Sequence, residues 1–132
     1  MCSSDLLAAA ELPILLDTGA EAIGGSTRMK AGTAQKATLN LLSSLVMTKL
    51  GRVHDGYMVD LRATNIKLRK RSERMLMEMT GATEAAARDA LQRCSGRVKP
   101  AVLVIKGLTP EAADKALAQA GGSLRLALKT LA

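Results

Sequence analysis

Residues 12–16, Leu-Pro-Ile-Leu-Leu, form a short apolar run that leads into a glycine-bearing turn and then into a long helical pattern. The next stretch reads Asp17-Thr-Gly-Ala-Glu-Ala-Ile-Gly-Gly-Ser-Thr-Arg-Met-Lys-Ala-Gly-Thr-Ala-Gln-Lys36. A lone carboxylate, Glu21, sits in the turn. Ser26 and Thr27 stand where a helix would open, with Arg28 and Lys30 in its first turn. The N–H groups of a first helical turn have no intrahelical acceptor. A helix start therefore attracts anions, and neighbouring hydroxyls and cations add to the attraction. The pattern suggests a site for a phosphorylated metabolite. A plainly capped helix accounts for the same residues, and both readings stand at this point.

The apolar run, bounded by Pro13 and Gly19, fits a buried strand of a parallel sheet. One strand makes no sheet, so its neighbours would have to come from elsewhere. Residues 27–50 read as one long helix, with Ala34, Leu41, Leu42, Leu45, Val46 and Leu50 giving a broad apolar face. Gly51 ends it, and Lys49 lies near its negative pole. Residues 51–62 read as a loop containing His54-Asp-Gly-Tyr57, and residues 63–80 as a second helix stopped by Gly81.

Beyond Gly81 the pattern changes to short, Ala-rich helices. Thr83 can cap the first, Ser95-Gly96 breaks it, and residues 98–106 follow. Thr109-Pro-Glu111 supplies a hydroxyl cap, a proline at the first position and then a carboxylate. Gly121-Gly122 breaks that helix, and Ser123 can cap the last. Ala90 to Val102 lines up with Ala116 to Leu128 as a weak internal repeat. Two units are too few for a solenoid, which favours a compact bundle. The expected fold is thus mostly α: one short strand, long helices and a small C-terminal helical bundle.

Composition narrows the partners. Only one Tyr and no Phe or Trp occur, so base-stacking platforms are missing despite a net charge of +7. The cations cluster in Lys67-Leu-Arg-Lys-Arg-Ser-Glu-Arg74, beside an apolar stripe of Leu68, Met75 and Met79. That arrangement reads as a solvated helix face, and no nucleic-acid partner is expected. No apolar run approaches the ~20 residues that cross a bilayer. Cys2 and Cys94 lie far apart without metal-ligand spacing, and the sole histidine, His54, has no ligand partners nearby, so neither a disulfide framework nor a metal site is expected.

Ser26-Thr-Arg-Met-Lys-Ala-Gly-Thr-Ala-Gln-Lys36, Asn40-Leu-Leu, Lys49-Leu-Gly-Arg-Val and Met58-Val-Asp-Leu-Arg-Ala-Thr-Asn65 together resemble the C-terminal half of the N-acetylmuramic acid 6-phosphate etherases. That bacterial family lies within the sugar-isomerase (SIS) superfamily and is related to the glucokinase regulatory protein. The resemblance covers about residues 8–132. It implies a three-layer α/β SIS fold with a parallel sheet for the full family, of which this chain is expected to be a piece. Residues 1–7 do not read like the family at this position. Residues 8–80 would be the last part of the sugar-phosphate-binding domain, and residues 81–132 a helical appendage similar to a ubiquitin-associated bundle.

The resemblance also implies an activity. The full protein would cleave the lactyl ether of N-acetylmuramic acid 6-phosphate in the cytoplasm, as a homodimer with no metal or organic cofactor. The products would be N-acetylglucosamine 6-phosphate and D-lactate, formed by elimination and then hydration during recycling of cell-wall sugar. The family's acid/base glutamates lie upstream of this chain, so no catalytic residue is assigned here and the 132-residue piece is expected to be inactive alone. Glu21, Ser26, Thr27 and Lys30 are the sugar-phosphate-binding candidates. Ser26 is expected to hold the helix start, and Glu21 to face the sugar with little part in folding. Two departures are visible: Ala20 stands where the family usually has proline, and His54-Asp-Gly-Tyr57 replaces a Tyr-Gly-Asn-Leu-type loop. Two other functions are compatible with the chain: a non-catalytic sugar-phosphate-binding regulator and a free-standing helical interaction module.

Overall fold

A computed structural model describes residues 3–131, the first two of these by backbone only. The elements are α1 (Ser3–Ala9), α2 (Lys30–Lys49), β1 (Val53–His54), β2 (Tyr57–Met58), α3 (Ile66–Thr80), α4 (Glu84–Arg93), α5 (Val98–Ile105), α6 (Pro110–Gln119) and α7 (Leu124–Lys129). The chain is mostly helical and divides into two compact units, one up to Leu45 and one from Val46 on.

In the first unit the expected strand at residues 12–16 does not form; the backbone there is irregular. The physical reason is pairing. Among the described residues no strand lies beside it, and Pro13 has no N–H to offer a ladder. The apolar side chains stay outside, with Leu12 86% exposed. The long helix begins at Lys30, later than the expected Thr27, and no residue of α2 is buried. Leu39, Leu41, Leu42, Leu45 and Val46 are all exposed along it.

The second unit carries the core. Val98, Ala101 and Leu103 of α5 are fully enclosed, joined by Leu76 of α3, Ala87 of α4, Ala113 of α6 and Leu124 and Ala127 of α7. α3 packs on α4 and α5, α5 on α6, and α6 on α7. Caps set the helix boundaries. Asn65 Oδ1 accepts from Leu68 N at 2.8 Å, and Gly81, in the left-handed region at φ 72°, donates its N–H to Met77 O at the end of α3. Thr83, Thr109 and Ser123 each accept an N–H from the third residue on, opening α4, α6 and α7.

The repeat seen in the sequence has a structural counterpart. Thr83 and Thr109 cap corresponding helices, and Ala87 and Ala113 are both wholly buried. Each helix then ends in two consecutive left-handed residues, Ser95-Gly96 and Gly121-Gly122. Gly96 N donates to Leu91 O at 2.8 Å, as Gly122 N donates to Leu117 O at 2.7 Å. At the first turn, Gly96 O accepts from Ala63 N at 3.0 Å, so the segment before α3 is tied to the helical unit. A Cβ on Gly96 would lie 3.4 Å from the Ala63 backbone.

Residues 51–62, expected as a loop, contain a small antiparallel hairpin with Val53 opposite Met58 and His54 opposite Tyr57. Asp55 (φ 46°) and Gly56 (φ 80°) form its two-residue turn. Tyr57 Oη donates to Glu78 Oε2 at 2.7 Å, tethering the hairpin to α3 and raising the phenol's pKa. Around the bundle, Arg97 grips Asp114 with two bonds of 2.8 Å, holding that carboxyl below its ordinary range. Cys94 is buried in the core, and burial pushes its thiol pKa up; Cys2 lies outside the described residues.

Ser72 on α3 is enclosed, and its hydroxyl has no hydrogen-bond partner among the described residues. Burying a hydroxyl unpaired costs free energy that alanine would not incur. Ser72→Ala is therefore expected to raise stability by about 1 kcal/mol, read as a higher denaturant midpoint at unchanged slope.

Candidate anion-binding helix start

The loop before α2 folds back on the helix it precedes. Asp17 Oδ1 accepts from Gly19 N at 3.2 Å, which tightens the first turn of the loop. Gly19 and Gly25 take left-handed backbone, at φ 66° and 79°. The chain reverses between them, and Ser26 N donates to Ile23 O at 3.0 Å.

This path puts Glu21 at the mouth of α2. Both its carboxylate oxygens accept from Lys30 N at 3.1 Å, and Oε1 also accepts from Ala31 N at 3.2 Å. The Lys30 ammonium turns back and donates to Ala20 O at 2.6 Å. A carboxylate on free first-turn N–H groups is favoured by charge-assisted hydrogen bonding and by the helix dipole. The anion that the sequence pattern invites is thus supplied from within the chain by Glu21.

The four sequence candidates are therefore placed differently. Glu21 and Lys30 are brought together. Among the described residues Ser26 Oγ accepts only from Arg28 N, at 3.4 Å within the loop, and does not cap α2. Thr27 contributes its backbone carbonyl, which accepts from Gly32 N at 2.8 Å, while its side chain is exposed. The late start of α2 follows from this arrangement, because the cap comes from a residue nine positions upstream. Sequence reasoning favoured the local hydroxyls, since capping from such a distance leaves no i,i+3 signature. Just along α2, Arg28, Thr33, Lys36 and Asn40 line an open groove of about 440 Å³.

Other residues singled out in the sequence have structural partners. Asn65 caps α3. Asp60 forms ion pairs with Arg52 at 3.3 Å and with the Lys99 ammonium at 3.5 Å. His54 is buried with Nε2 3.4 Å from Asp55 Oδ2, and its Nδ1 has no partner among the described residues. No described helix is long and apolar enough to cross a membrane.

Fold and site together define a mostly helical polypeptide with a glycine-turned loop whose own carboxylate, Glu21, caps the long helix. No protein-family model matches the chain. Curated proteins do. The chain is 52% identical over 124 residues to the N-acetylmuramic acid 6-phosphate etherase of Deinococcus radiodurans, covering 93% of this chain and 41% of that protein. It is 48% identical to the like-named protein of Erwinia tasmaniensis, over 96% of this chain and 42% of that protein. For Yersinia pestis the figures are 46% identity, 96% and 44%. The chain is a homologue of the C-terminal part of these etherases. It spans about two-fifths of the length of the curated relatives it matches.

Proposed function

We propose that the chain works as the C-terminal part of an N-acetylmuramic acid 6-phosphate etherase. The observation that carries this reading is identity of 46–52% over nearly the whole chain to proteins of that name. The whole enzyme would act as a carbon–oxygen lyase. A carboxylate would take the proton next to the sugar carbonyl, an acid would assist lactate departure, and water would then add. Those acid/base carboxylates are assigned to the family's N-terminal half. The SIS-type sheet, a cytoplasmic location and homodimeric assembly belong to the same proposal. The exposed apolar face of α2 supports an assembled state in which that face is covered. Residues 81–132 take the part of the family's small helical appendage.

Within this reading, the α2 start supplies ligand contacts rather than catalysis. Glu21, fixed on the helix, keeps carboxylate lone pairs for a sugar hydroxyl. Ser26, Thr27 and Lys30 add a hydroxyl pair and a cation for a phosphate or the lactyl carboxylate. The chain alone is expected to release no D-lactate from N-acetylmuramic acid 6-phosphate in an assay where the Deinococcus radiodurans etherase is active. Turnover by the isolated chain at about 1 per second or faster would contradict this and place the chemistry on Glu21 and its neighbours.

A further inference from the structure

A second polar cleft, of about 580 Å³, lies between α3 and α4. Its wall carries two guanidiniums, Arg69 and Arg88, with Glu73, Gln92 and Ser95 around them and Leu91 at the apolar side. Arg88 is held in place. Its Nε donates to Glu73 at 3.2 Å and one Nη to Glu84, which raises its pKa. Its remaining N–H donors have no partner among the described residues.

Arg69 is not held. Glu73 stands at its i,i+4 position, but that carboxylate accepts from Arg88, and Arg69 forms no ion pair among the described residues. The side chains of Gln92 and Ser95 likewise have no partner there. Uncommitted donors therefore converge on one concave surface, beside a carboxylate whose side chain is only 17% exposed.

A basic stripe runs along a different face of α3 from Arg69 and Glu73. Lys67, Lys70, Arg71 and Arg74 recur at i, i+3, i+4 and i+7 on α3, all exposed and none in an ion pair among the described residues. Cations in early helical turns oppose the dipole, and like charges three or four apart repel. This arrangement does not help α3 fold.

We propose that the α3–α4 cleft is a binding site for a phosphorylated monosaccharide, separate from the α2 start. The phosphate lies on Arg69 and the free donors of Arg88, where planar guanidiniums match its oxygens. The ring hydroxyls meet Glu73, Gln92 and Ser95, and the cleft volume suits a ligand of that size. Every residue named lies in the unit from Val46 on, so the observations that carry this site are separate from those at the α2 start.

The test is a nuclear magnetic resonance titration of the whole 132-residue chain with N-acetylglucosamine 6-phosphate, with N-acetylglucosamine and inorganic phosphate run separately. The phosphosugar is expected to shift the Arg69 and Arg88 Nε–H and Gln92 amide signals saturably, and to bind more tightly than either fragment. Arg69→Ala and Gln92→Ala, both at exposed positions, should each weaken binding about tenfold or more with an unchanged melting curve. Shifts confined to residues 21–36, equal affinity for inorganic phosphate, or unaltered binding by the double variant would each overturn the proposal.

Discussion

Leu103→Ala is expected to lower the stability of the unit from Val46 on by about 3 kcal/mol. Leu103 is wholly buried on α5, the helix that packs against α3, α4 and α6. Cutting its isobutyl side chain back to methyl forfeits burial and leaves a cavity that three helices cannot close without shifting. For a domain of this size the melting midpoint should fall by roughly 15 °C. Leu126→Ala supplies the control, since Leu126 is 52% exposed on α7 and its truncation should change little. Thermal melts by circular dichroism read both. Similar small losses from both variants would mean that α5 is not the centre of the core.

Glu21→Gln should loosen the start of α2, whereas Ser26→Ala should not. Glutamine keeps the shape but removes the charge that two first-turn N–H groups and the helix dipole stabilise. A capping interaction of this kind is worth about 1 kcal/mol, so the Lys30 and Ala31 amides should exchange roughly fivefold faster. Ser26 Oγ accepts from Arg28 N at 3.4 Å and from neither Lys30 N nor Ala31 N, so its loss should leave those amides unchanged. Hydrogen exchange on both variants decides the matter. Faster exchange in Ser26→Ala alone would return the cap to the local hydroxyl. This reverses the expectation from sequence, which assigned stability to Ser26 and made Glu21 nearly dispensable for folding.

The parts of the fold that were legible rest on local chemistry. Thr83, Thr109-Pro110, Ser123 and Gly81 each act within three or four residues of where they stand, so reading them in order recovers α4, α6, α7 and the end of α3. The parts that were not legible depend on distant partners. Whether residues 12–16 form a strand depends on a neighbouring strand, and the described residues contain none beside it. Where α2 begins depends on Glu21 reaching across the glycine loop. The hairpin turn is legible, since Asp55-Gly56 is a common two-residue turn between strands, but strands of two residues carry no alternation that would mark them in the sequence. The α3–α4 cleft was invisible for another reason. Which of Arg69 and Arg88 claims Glu73 is a tertiary outcome that the i,i+4 spacing of Arg69 and Glu73 does not reveal.

The most direct test joins this chain to the rest of an etherase. In the Deinococcus radiodurans protein, the segment matching this chain over 124 residues at 52% identity would be replaced by it. The chimera would be assayed for D-lactate release from N-acetylmuramic acid 6-phosphate. Turnover of ordinary enzymatic order, about 1 per second or faster, is the result expected of a chain that serves as the C-terminal part of such an enzyme. A chimera that melts cooperatively like its parent but releases no D-lactate would contradict the assignment.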